Sequence, residues 1–123
     1  MNAVYFEELV DNCPDADAKP ANNEKFYRLV SIPVADEDFY SHRKKYPFKK
    51  FNVSECQAQS VSVFRNLPSR NLEKLPAFKD KIRALIHLTS SDGAIKATPS
   101  DQNDHHSWWR SSTFKIGNNI SYP

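Results

Sequence analysis

KIRALIHLT, residues 81–89, is the stretch that decides the fold. Ile82, Ala84, Ile86 and Leu88 alternate with Arg83, Leu85, His87 and Thr89, so an extended chain here has one wholly apolar face and one mixed face. That period belongs to a half-buried strand. Downstream, SSDG reads as a turn, and AIKAT (94–98) pairs back on the strand as a hairpin. A polar loop from Pro99 to Ser107 follows, and WWR and TFKI supply one or two closing strands.

Upstream, KFYRLVSI (25–32) and SVSVF (60–64) are rich in strand formers, and Pro33 ends the first. Asp36 to Lys45 reads as a helix, with Asp36, Glu37 and Asp38 in its first turn and Arg43, Lys44 and Lys45 in its last. That charge order complements the helix dipole, and Pro47 stops the run. SRNLEKL (69–75) can form two helical turns capped by Ser69. FKKFNVSECQAQ stays open between helix and loop. NAVYFEELV (2–10) reads as a short amphipathic helix, followed by a loop rich in Pro, Asp and Asn. The order of elements gives α+β: a single domain with a mostly antiparallel sheet of four to six strands and one or two packed helices. Residues 1–24 form an acidic N-terminal helix and loop, and 25–123 the core. The Ile82/Ile86/Leu88 face is expected to pack against the helix that carries Phe39.

A chain of 123 residues suits one core, and its eight Phe, five Tyr and two Trp can fill it from few positions. Only two glycines are present, with no GxGxxG or GxxxxGK[ST] phosphate loop. The net charge of +2 does not by itself point to nucleic acid, but it is unevenly spread. Residues 1–24 carry −5, residues 25–50 carry +4 and the remainder +3. The acidic head either lies over the basic part or is solvated, and solvation is the default. Cys13 and Cys56 form no CxxC motif. No signal peptide or membrane-length apolar run is read, so the expectation is a soluble cytoplasmic protein with reduced thiols.

Candidate chemistry concentrates in DQNDHHSWWRSS (101–112), which holds both tryptophans and two of the four histidines. On a strand, Trp108 and Trp109 point to opposite faces and cannot share one core. One packs inward; the other is exposed, covered by a helix or lining a pocket. His106, Trp108 and Arg110 fall on one face, a trio able to stack a base or nicotinamide and hold a phosphate. The alternative is that both indoles are packing and the histidines sit in a solvated loop. Asp101, Asp104, His105, His106 and His87 are metal-ligand types without metal-site spacing, so no metal is assigned. Cys56 beside a histidine would make a nucleophile, but a lone cysteine is more often an inert small hydrophobe. Arg28 interrupts an apolar strand, and either faces solvent or lies in a cleft with an anion or carboxylate. HRKKYPFKKF (42–51) joins basic groups to aromatics, as single-stranded nucleic acid binding requires, or is a helix end with solvated lysines.

The combination of FYRLV, ECQAQSVSVF, GAIKATPS and HHSWW resembles a family of short, uncharacterised bacterial proteins over roughly residues 25–110. The resemblance implies a bacterial or phage-like origin and one compact domain. A second pattern resembles ADP-ribosyltransferase-like toxins, which place an arginine or histidine on an early strand, a Ser or Tyr on the next and a late catalytic glutamate. Arg28 and Ser60 or Ser62 match the first two positions. The last glutamate is Glu73, before the clearest strand, so Asp101, Asp104 or His106 would have to replace it.

Two functions follow. One is a binding or regulatory module with no cofactor, whose recognition surface is His105, His106, Trp108, Trp109 and Arg110 together with Arg28. The other is a small NAD-dependent, ADP-ribosyltransferase-like enzyme in which Arg28 holds a phosphate. A protein or nucleotide partner fits either better than duplex DNA or a membrane, and a homodimer with an exposed tryptophan at its interface is compatible with both.

Overall fold

The computed structural model describes residues 4–66, 80–99 and 104–123. Seven strands form its sheet: β1 (Lys19–Pro20), β2 (Glu24–Val30), β3 (Val61–Phe64), β4 (Ile82–Leu88), β5 (Gly93–Ala97), β6 (His105–Arg110) and β7 (Ile120–Ser121). Their order is β1-β5-β6-β3-β2-β4-β7, and every pairing is antiparallel. Among the described residues, two single-turn α-helices accompany it, α1 (His42–Lys45) and α2 (Glu55–Ala58). The class is α+β as the sequence indicates, with one strand more than its upper count.

The alternation in 81–89 is realised. Ala84, Ile86 and Leu88 are fully buried and join Phe26, Val30, Val61, Val63, Ile95, Trp108 and Phe114 in the main core, where Phe39 also packs. β4 and β5, however, do not form a hairpin, because β6, β3 and β2 lie between them. The short turn Ser90–Asp92 nevertheless joins them, and residues 21–23 join β1 to β2 across four strand spacings. Four spacings in a flat sheet are ~19 Å. The four steps from Pro20 to Glu24 reach at most ~14 Å. The sheet is therefore rolled, bringing the β1/β5 side toward β2 and β4. Gly93 makes the turn into β5 with φ 132. A Cβ there would collide with the Trp109 carbonyl and lie 2.9 Å from Trp108 Nε1.

Local chemistry overrides the expected helices. Residues 4–10 are not helical: Tyr5 bridges Ser111, and the Phe6 N–H donates to the Arg110 carbonyl at 2.9 Å. The run 36–45 divides into a 3-10 turn, Asp36–Phe39, and α1. Asp38 bends its carboxylate back to accept the backbone N–H groups of Ala35 and Ser31, the Ser31 hydroxyl and Lys81. Tyr40 is extended, and Ser41 Oγ accepts the Lys44 N–H to start a fresh turn. Asp and Ser side chains compete with helical hydrogen bonding in this way. The helix expected over 69–75, with Glu73, lies outside the described residues, as does Asp101.

The other sheet face carries a second apolar cluster: Trp109, Ala94 and Cys56, packed by Tyr5, Leu9, Cys13 and Ala18. Cys13 and Cys56 are joined as a disulfide, which corrects the expectation of reduced thiols and removes Cys56 as a nucleophile. The acidic head is thus neither free nor laid mainly on 25–50. It closes this face, with Asp15 and Asp17 on Lys96 and Gln59 holding the Val10 N–H and the Glu8 carbonyl.

Candidate functional site

The HHSWWR candidates separate. Trp108 is fully buried in the main core with its Nε1–H on the Asp92 carbonyl. Trp109 is buried on the opposite face with its Nε1–H on the Cys56 carbonyl. Neither indole forms a surface. Arg110 is buried too: its guanidinium lies 3.8 Å from the Phe6 ring centroid and pairs with Asp36. It ties the N-terminal segment to the core and does not share an open face with His106. His106 leans on Phe26, with Nδ1 2.8 Å from the Asp104 carbonyl, and borders a concavity of about 510 Å³ with Arg65, Lys96 and Glu24.

His105 and Arg28 do come together, around a residue that the motif reading left as one of two options. Ser60 Oγ is committed to the Gln57 carbonyl at 2.6 Å. Ser62 faces the other way from the core on β3, opposite Ser107 and diagonal to His105. Its Oγ lies 2.9 Å from His105 Nε2 and 3.1 Å from His42 Nε2. β2 and β3 are paired only at Tyr27 and Phe64 and then diverge. Into this gap Arg28 extends, donating from Nη1 to the Ser62 carbonyl at 2.6 Å and from Nε to the Asp38 carbonyl at 2.7 Å. Arg28 is half-buried in this gap, so of its two alternatives the structure takes the cleft and not the solvent face. Burial pushes its guanidinium down to about 10, opposed by Asp38, so it remains charged at neutral pH.

The hydrogen-bond roles can be worked out. The Thr98 carbonyl, 2.9 Å from His105 Nδ1, can only accept, so Nδ1 carries a proton. Neutral His105 then accepts the Ser62 hydroxyl proton on Nε2, and His42 Nε2–H donates to Ser62 Oγ. With His105 doubly protonated the chain reverses: Nε2–H donates to Ser62, and the hydroxyl donates to His42. Thr98 Oγ1, also 2.9 Å from Nδ1, continues the chain to Ser107 Oγ at 2.8 Å. A carbonyl thus orients one imidazole, which holds a hydroxyl shared with a second imidazole.

The electrostatics are one-sided. Desolvation pushes the His42 imidazole below its usual range, and Arg28, His105, Lys45 and Lys49 push it further. Lys45 is itself lowered by burial and by repulsion from Lys81 and Arg28, with Asp38 and Glu37 opposing. The buried Asp38 carboxylate is occupied by Ala35, Ser31 and Lys81. The sequence reading missed His42 and Thr98, because only the seating of α1 brings His42 to Ser62 and only the β5–β6 pairing brings Thr98 to His105. Among the described residues, no group of three or more His, Cys, Asp or Glu is placed to hold a metal, and no helix is long and apolar enough to cross a membrane.

Comparison of the chain with protein-family models, with curated proteins and with solved structures finds no match.

Proposed function

We propose that this protein is a nucleotide-binding module that takes the phosphate of its ligand between Arg28, His42, Ser62 and His105. One observation carries the reading: a single hydroxyl is hydrogen-bonded to two imidazoles in a cluster whose effective charges on His42 are all positive. Such a site is relieved by an anion, and an imidazole N–H, a hydroxyl and a guanidinium are donors that match phosphoryl oxygens. The recognition surface thereby moves from the tryptophans to His105, Arg28 and the newly placed His42 and Ser62.

The reading is tested by titrating AMP while following the histidine ring signals by NMR. Saturable shifts of His42 and His105, absent in Ser62→Ala and Arg28→Ala, are expected. Unmoved rings at millimolar AMP in the folded protein would refute it.

A second reading, NAD-consuming chemistry, is favoured by the direct bond between Arg28 on one strand and Ser62 on the next, the two positions that match the ADP-ribosyltransferase-like pattern. NAD loss dependent on both residues would support it. The bacterial and cytoplasmic assignments stay proposals. The cytoplasmic one carries reduced thiols with it, and the Cys13–Cys56 bond favours an oxidising compartment instead.

A further inference from the structure

The segment beside the phosphate site has an unusual construction. Residues 42–51 contain five lysines and arginines and no acid. Phe48 is 98% exposed and Tyr46 47% exposed. This tip is fastened: Arg43 donates from Nη1 to the carbonyls of Tyr46, Pro47 and Lys49 and pairs with Glu55 through Nε and Nη2. Lys49 lies over the rings of Tyr46 and Phe51. A fully exposed phenylalanine on a braced, basic turn is a stacking platform flanked by phosphate-binding charge. It also leads directly into the site, because His42 is the first residue of the segment and its ring meets Phe51 at 6.0 Å.

We infer that the protein cleaves single-stranded RNA without a metal, docking bases on Phe48 and Tyr46 and phosphates on the adjoining lysines, with His42 and His105 as the base and acid. The inference rests on the phosphate-binding reading above and adds the substrate and the reaction. The two imidazoles converge on Ser62 Oγ at 3.1 and 2.9 Å, so a phosphoryl group that takes the hydrogen bond of that hydroxyl would lie within reach of both. His42 Nε2 takes the proton of the ribose 2′-hydroxyl. The freed electron pair forms the O2′–P bond, the P–O5′ bond breaks, and the leaving O5′ takes the proton from Nε2 of doubly protonated His105. The products are a 2′,3′-cyclic phosphate and a 5′-hydroxyl. No oxidant, metal or further reactant is consumed, and proton exchange with water resets the pair. His42 suits the base because Arg28 on β2, His105 on β6 and Lys45 and Lys49 on its own segment all disfavour its protonation. The Thr98 carbonyl keeps the His105 ring oriented with Nε2 toward the substrate. Arg28 uses Nε and Nη1 for the two carbonyl bonds, and its Nη2 would serve as the donor that stabilises the developing phosphorane charge.

The test incubates the full chain, disulfide intact, with an end-labelled single-stranded oligoribonucleotide and its DNA counterpart in excess chelator. RNA cut to cyclic-phosphate ends with the DNA untouched is expected. His42→Ala and His105→Ala should each lose at least about 100-fold in kcat/KM. His87→Asn, remote on β4, should keep full activity, and Phe48→Ala should raise KM with kcat preserved. The two indole N–H signals report whether each variant is folded, with His42→Gln and His105→Gln as substitutes where alanine unfolds the chain. Uncut RNA alongside AMP-induced shifts of His42 and His105 would overturn the cleavage inference and leave phosphate binding standing. Uncut RNA with no shifts would overturn both. Cleaved DNA, 5′-phosphate products or activity abolished by chelator would overturn the mechanism, and an unchanged KM in Phe48→Ala would overturn the docking platform.

Discussion

Arg28 and Ser62 meet where β2 and β3 part, the guanidinium reaching the Ser62 carbonyl at 2.6 Å in place of further ladder pairing. The same side chain takes the Asp38 carbonyl, so one arginine closes a sheet gap and charges the site. Lysine cannot bridge two carbonyls in this fork geometry. Arg28→Lys is therefore expected to cost about 1–3 kcal/mol in urea unfolding and to weaken AMP binding. Full retention of both would contradict the dual role.

Asp38 is buried with four donors on its carboxylate. Burial alone would raise its pKa, but the bonds from Ala35, Ser31 and Lys81 outweigh it and hold the carboxyl below its usual range. The stability it supplies is present above its unfolded value of about 3.9 and lost as pH falls through the lower folded one. Asp38→Asn should lose about 2–4 kcal/mol at neutral pH and flatten the acid limb of the stability curve. An unaltered limb would show that the carboxylate is not ionised and paired as described.

His42 behaves in the opposite pH range. Its folded pKa lies below the unfolded value of about 6.5, so the unfolded chain binds more protons in that window. Stability should fall as pH drops through 6.5 toward the folded value, by a small amount because the residue keeps contact with solvent although its ring is partly desolvated. A bound phosphate should raise the His42 pKa and draw in protons. NMR titration of the ring with and without AMP decides both points, and a His42 pKa unmoved by saturating AMP would show that the anion binds elsewhere.

The disulfide closes 43 residues of sequence separation and pins the acidic head over Trp109. Chain-entropy arguments put such a cross-link at about 4 kcal/mol. Reduction, or Cys13→Ser with Cys56→Ser, should cost about 2–4 kcal/mol and red-shift the Trp109 emission as that face opens. Coincident unfolding curves with and without reductant would refute this.

Gly93→Ala tests the crossover. Its positive φ and the close Trp109 carbonyl leave no room for a methyl group. A loss of about 2–4 kcal/mol is expected, read by thermal unfolding. A neutral substitution would mean that β4 enters β5 by another path.

The legible parts of this fold were the ones set by local period. Strand β4 announces itself through alternation, Arg28 through its place in an apolar strand, and His105 only as part of the HHSWW cluster. What stayed hidden is tertiary. The run 36–45 has helical charge order, but Asp38 is drawn to Ser31 and to Lys81, a residue 43 positions away. AIKAT reads as the partner of 81–89, yet the rolled sheet offers it β6 instead, through Gly93. Pairing Cys13 with Cys56 required knowing that the head folds back on α2. Ser62, His42 and His105 converge only through a diagonal cross-strand contact and one capped helical turn, neither of which has a sequence period.

The outermost strands, β1 and β7, are two residues long, and β1 ends in Pro20, which has no backbone donor. A growing β-aggregate needs a long, regular border of free amides and carbonyls on which to template. Here the border strands are too brief to template one, and Lys96 on β5 is occupied by two aspartates. Among the described residues, these two-residue strands offer a second copy few ladder bonds, so self-association should favour side-chain surfaces over extension of the sheet at β1 or β7.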